Sequence, residues 1–204
     1  MNWAEERDWL LAAVQRAVAQ AGCAWPPAGP TPLRDLIAAF NLVHSEMHGL
    51  SYVQVAKALC KFVEPPADFW RKHIPLAGFV FANSHAGWIF VNQDDPIPRR
   101  RFSAAHELGH YLLHFAPESC NDEDGFMQDD PDMAEDNDHQ AAIERQANRF
   151  AAELLMPEES CRRIVAKLQK SFGGDPTFLA PRLAGELLVS REAASWRLRS
   201  LGLA

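Results

Sequence analysis

The segment His106-Glu107-Leu108-Gly109-His110 sets two imidazoles four residues apart, with a carboxylate next to the first. On a helix, positions four apart lie one turn above each other on one face, so both rings can converge on a single ion. Zinc accepts imidazole nitrogen, and a site with three protein ligands keeps a fourth position for water. The metal would lower the pKa of that water and polarise a carbonyl, and Glu107 is placed to take the proton and later return it to a leaving amine. Peptide hydrolysis is the chemistry these residues could perform. The pattern is short enough to arise by chance, so its surroundings must decide.

The surroundings favour it. Phe102, Ala105, Leu108, Leu112 and Leu113 supply apolar positions, and the spacing predicts a helix over 99–115 that Pro117 ends. A third ligand has to come from a separate element packed on this helix. The stretch 138–155 also predicts a helix, with Ala147, Phe150, Ala151, Leu154 and Leu155 facing inward. Its small residues Ala147 and Ala151 allow a close helix–helix approach. On the residues alone, Glu144, Glu153, Asp138 and His139 all stay open as the third ligand.

Two stretches carry a family resemblance. Arg101-Phe102-Ser103-Ala104-Ala105-His106-Glu107-Leu108-Gly109-His110-Tyr111-Leu112-Leu113-His114, followed by Glu144-Arg145-Gln146-Ala147-Asn148-Arg149-Phe150-Ala151-Ala152-Glu153-Leu154-Leu155-Met156-Pro157, resembles the ImmA/IrrE metallopeptidases. Ile89-Phe90-Val91-Asn92 resembles the strand that precedes their metal-binding helix. The resemblance implies zinc on His106, His110 and Glu144, with Glu107 as the catalytic base. Many members are acidic at two positions where the second motif opens; here the second is Gln146, which leaves Glu144 as the match. The resemblance further implies an endopeptidase that cleaves a helix-turn-helix transcriptional repressor. The alternative it offers is a metal-containing toxin or binding module acting through complex formation with a DNA-binding antitoxin.

The elements that must position these residues are also partly legible. Residues 3–20 predict an amphipathic helix, ended by the Pro- and Gly-rich stretch 22–30. Thr31-Pro32 offers an N-cap followed by proline, opening a second helix that runs to about Leu42. A third helix is expected from near Ser51 to before Pro65. Runs 76–82 and 87–92 are rich in Phe, Val, Ile and Trp and predict two neighbouring strands with a turn between them. Helices are expected around 158–171, 177–187 and 190–201. The fold class expected is α+β, with a zincin-like core in which a small sheet packs on the metal-binding helices, and helical N- and C-terminal regions. We divide the chain into a helical region 1–73, a catalytic core 74–157 with an acidic insertion at about 117–138, and a helix-turn-helix-like module 158–204.

Composition narrows the partners. The 204 residues carry a net charge of -7, which argues against strong non-specific binding to nucleic acid. Eleven of the acidic residues lie between Glu118 and Glu144, a span with no Lys or Arg. The part of it up to Asp138 is expected to be an exposed loop, disordered or acting as a lid. The tail from Cys161 is locally basic, and Ser190 is placed to cap its last helix. Packing or protein recognition is expected of this tail rather than direct DNA contact, so the expected partner is a protein. No run approaches the roughly 20 apolar residues of a membrane span, and the acidic start differs from a signal peptide, so a cytoplasmic location is expected. The four scattered cysteines are expected to be free. His114 is expected to support or pack beside the ligands, and Asn148 to bond to them or pack. Tyr111, His114 and His85 are the candidates for stabilising an oxyanion, while His44, His48, His73 and His139 are expected at the surface or in packing.

Overall fold

The structure is a computed structural model that describes residues 3–27, 29–83, 87–114, 126–128, 138–172 and 176–203. Its sheet grows from the two apolar runs. Strands β2 (Gly78–Ala82) and β3 (Gly87–Asn92) lie antiparallel, with Phe79 opposite Phe90 and Val80 opposite Ile89. Successive side chains of a strand point to opposite faces. Val80, Ile89 and Val91 therefore join one buried cluster, while Phe79, Phe81 and Phe90 join another. A sheet apolar on both faces needs cover on both, and it has it.

The far face is covered by helix α3 (Tyr52–Leu59) and a 3-10 turn at Phe69–Arg71. Tyr52, Phe69 and Phe79 meet edge to face there, with ring centroids 4.8 to 5.9 Å apart. The near face carries α4 (Ile97–His114), with α5 (Asp138–Leu155) packed on α4 and α1 (Trp3–Gln20) packed on α5. Behind them stand α6 (Glu158–Phe172), α7 (Pro176–Leu187) and α8 (Arg191–Ser200). The near-side cluster draws on Leu10 and Val14, on Val80, Leu108 and Phe150, and on Leu183 and Leu198, so the N-terminal, central and C-terminal parts share it. The architecture is α+β with a zincin-like core, as expected. No described helix is long and apolar enough to cross a membrane.

Three local expectations change. The second helix, α2 (Leu33–Ala38), stops short of Leu42 because Asn41 adopts a left-handed φ of 56°, which breaks the helical path. The chain then forms β1 (Leu42–Met47), parallel to β3. Thr31 is not the cap of α2: its buried hydroxyl donates to the Leu154 carbonyl at 2.7 Å, tying the entry of α2 to the end of α5. The third helix, Tyr52–Leu59, starts beside Ser51 and ends before Pro65, as expected. Within the acidic stretch expected to be an exposed loop, Phe126–Gln128 form β4 on β2, completing a sheet of order β1-β3-β2-β4. Most of the remaining insertion lies outside the described residues. Ser190 caps α8 as expected, its hydroxyl accepting the Ala193 amide at 3.0 Å. Cys23, Cys60 and Cys161 are free, and Cys120 lies outside the described residues.

Candidate metal centre

The seam between α4 and α5 is where donor atoms converge. Two glycines set its spacing. A Cβ at Gly109 would stand 3.0 Å from Phe150 Cδ1 and 3.3 Å from the Ala147 backbone, so a side chain there would press on α5 at the histidine-bearing turn. A Cβ at Gly78 would stand 2.5 Å from Glu107 Oε1, so β2 lies directly on the Glu107 carboxylate. Glu107 is 1% exposed, and the bare strand backbone at Gly78 fixes where its oxygens can go.

His106, His110 and Glu144 each offer one donor atom, and the three atoms lie within 4.8 Å of one another. His106 Nε2 and His110 Nε2 are 2.9 Å apart. Glu144 Oε2 is 3.3 Å from His106 Nε2, and its Oε1 is 3.3 Å from His110 Nε2. Donors about 2.0–2.1 Å from a tetrahedral ion stand about 3.3 Å from each other, so these separations fit zinc. Two imidazole nitrogens turned toward one carboxylate at this spacing make a set of lone pairs suited to a cation. The His110 side chain is fully buried and that of His106 is 12% exposed. The Nδ1 atoms of both rings are buried with no hydrogen-bond partner among the described residues.

The electrostatics follow from the packing. Burial works to raise the Glu144 carboxyl, but the imidazoles of His106 and His110 outweigh it and hold the group well below the usual carboxylate range. His114 is pushed down to about 4 by burial and by neighbouring His110, so it is neutral near pH 7. Its ring lies between His110 and Trp9, at centroid distances of 6.1 and 6.5 Å. It is not among the three converging donors. Phe102 stacks on His106 at 6.2 Å and closes that side.

The rivals for the third position are engaged or displaced. Glu153 is bound by Arg197, whose Nη1 donates to Oε1 at 2.8 Å and whose Nη2 donates to Oε2, while Nε donates to the Met156 carbonyl at 2.9 Å. Asp138 and His139 are exposed at the start of α5. Asn148 is exposed as well. Tyr111 packs edge-on against Phe40, at 6.3 Å between centroids, and His85 lies outside the described residues. His48 is exposed and pairs with Asp94 at 2.6 Å, His73 is exposed, and His44 is half-buried. Gly78 and Arg197 went unnoticed in the sequence. A glycine opening an otherwise apolar strand was the available signal for the first; nothing signalled the second.

A small sheet laid on a His-Glu-x-x-His helix, with a second helix presenting a glutamate to both histidines, defines a zincin-type zinc metallopeptidase. Residues 72–199 match the peptidase M78 family, described as the IrrE N-terminal-like domain, and the chain belongs to that family. It is a zinc-dependent endopeptidase by family and by site. The match reaches well past Pro157, so α6, α7 and most of α8 fall within the family's domain. No curated protein matches the chain closely enough to show a relationship.

Proposed function

We propose that this endopeptidase cuts a helix-turn-helix transcriptional repressor, with zinc held by His106, His110 and Glu144 and with Glu107 as general base. The convergence of the three donors beside the buried Glu107 carboxylate carries the chemical part of this reading. The substrate part rests on the resemblance of 101–114 and 144–157 to the ImmA/IrrE metallopeptidases. Zinc, when bound, supplies a Lewis acid that acidifies water and polarises the scissile carbonyl. Glu107, held against Gly78, takes a proton from the attacking water and delivers it to the departing amine. Glu144, held below the usual carboxylate range by the two imidazoles, is ionised near neutral pH and available as a donor there. Residues 74–157 would carry the chemistry, flanked by 1–73 and 158–204, in a cytoplasmic protein.

The test pairs the purified zinc-loaded chain with a candidate repressor and follows cleavage by mass spectrometry. A single defined cut, absent with Glu107→Gln although that variant keeps its zinc, is the expected outcome. Undiminished cleavage by Glu107→Gln would remove the assigned base. A cellular effect that survives Glu107→Gln would instead support a binding or toxin module acting through complex formation with a DNA-binding partner.

A further inference from the structure

The opposite side of α4 holds a second polar site. Arg99, Arg100 and Arg101 lie near the start of this 18-residue helix, whose first turn has no acidic residue. Helix N-termini carry partial positive charge, so cations are disfavoured there unless something offsets them. Arg99 is offset by Asp95 at 3.0 Å, and Arg100 by Glu46. Arg101 is different. Its Nη2 donates to the Thr31 carbonyl at 2.9 Å, and no carboxylate among the described residues pairs with it. Burial disfavours its charge, and its Nε is buried with no hydrogen-bond partner among the described residues.

Arg101 lines a cavity of about 490 Å³ together with Arg34, His44, Glu46, Arg100 and Asp35. Three guanidiniums there face two carboxylates, and Glu46 is shared, standing 3.6 Å from Arg34 while accepting from Arg100. The Nε of Arg100 and Nε2 of His44 are, like Arg101 Nε, buried without a hydrogen-bond partner among the described residues. Three unmatched nitrogens from β1 and α4 thus border one cavity. At 100° per residue, Ile97, Arg100, Arg101 and Ala104 lie on the side of α4 roughly opposite His106 and His110, so the cavity is separate from the metal centre.

We propose that this cavity binds the phosphate group of a small organic molecule, with Arg101 and Arg100 as the anion ligands and His44 as an additional hydrogen-bonding group. Guanidinium nitrogens form paired, charge-assisted bonds to tetrahedral oxyanions, which a carbonyl partner alone does not replace. The volume lies within the 300–1,000 Å³ typical of small-molecule sites and exceeds what a bare oxyanion fills. Leu33 and Ile97 on the same wall offer apolar contact for the rest of the ligand.

Calorimetric titration of the zinc-loaded full chain, at fixed ionic strength, tests this with inorganic phosphate in one arm and a nucleoside monophosphate in another. Saturable binding of the monophosphate is expected, weakened about tenfold to a hundredfold in Arg101→Gln. Equal affinity for both probes would support the anion site but assign it to free phosphate. If Arg101→Gln does not fold, Arg100→Gln and the neutral change His44→Gln must each still weaken binding. No saturable binding of either probe, or unchanged affinity in the folded variants, overturns the proposal. So does binding of duplex DNA by a chain that ignores both small probes.

Discussion

The two sides of α4 gather buried nitrogen atoms for opposite purposes. On the α5 side, His106 and His110 turn Nε2 atoms toward each other and toward the Glu144 carboxylate, an assembly of lone pairs that asks for a cation. On the β1 side, Arg100 and Arg101 bring N–H donors to a cavity where cations outnumber carboxylates, an assembly that asks for an anion. One helix separates the two, and its side chains reach each site by the 3.6-residue repeat. The difference shows that nitrogen-rich clusters are not interchangeable: what each can hold depends on whether the converging groups offer lone pairs or protons.

The strongest way to break the comparison is at Glu107. Replacing it with Gln removes the proposed proton acceptor while keeping the shape against Gly78. Activity is expected to fall about 10²- to 10⁴-fold with zinc content unchanged. Turnover assays combined with elemental analysis check both halves, and a parallel loss of metal would recast Glu107 as structural. Next come the two glutamates of α5. Glu144→Ala should abolish zinc retention, where the wild type is expected to hold about one ion. Glu153→Ala should leave zinc in place and instead cost about 3–5 kcal/mol of stability, because Arg197, whose side chain is 9% exposed, loses its counter-charge. Urea titration and metal analysis on both variants separate the roles; loss of zinc in Glu153→Ala alone would reverse them.

A smaller effect sharpens the metal side. Gly78→Ala adds a methyl where Glu107 Oε1 now lies, at 2.5 Å, so the carboxylate must shift. A displacement of this kind should lower kcat by about tenfold to a hundredfold while zinc is kept. Wild-type kcat in this variant would show that β2 merely passes by.

How much of this was legible depended on whether a pattern was local. The repeats of α4 and α5 and the aromatic runs of β2 and β3 declared themselves because their periodicity lies within one element. β1 did not: only Leu42 of Leu42–Met47 is buried, and its partner β3 begins 45 residues further on, so no alternation marks it. His106 and His110 were fixed by spacing on one helix, whereas the third ligand stayed among four candidates until the resemblance selected Glu144. What distinguishes Glu144 from Glu153 is the Arg197 clasp, 44 residues away in sequence, and spacing carries no information about such a contact. The Gly78 contact was hidden for the same reason, since it depends on how far a sheet sits from a helix.

The anion-seeking side can be probed without any ligand, through His44. Burial, with Arg34 and Arg100, holds this imidazole below its ordinary 6.5, against the upward pull of Glu46. With the folded pKa depressed, the unfolded chain takes up the proton first as pH falls. The contribution is absent well above 6.5 and becomes a growing loss of stability as pH drops below 6.5 toward the folded value. Between about pH 8 and pH 5, wild-type Tm should therefore fall more steeply than that of His44→Gln, which cannot take up this proton. Measuring both curves after zinc removal keeps metal release from adding to the slope. Parallel curves would mean that neither burial nor the guanidiniums across the cavity disfavour a charge at His44, and the contrast between the two sides of α4 would lose its electrostatic basis.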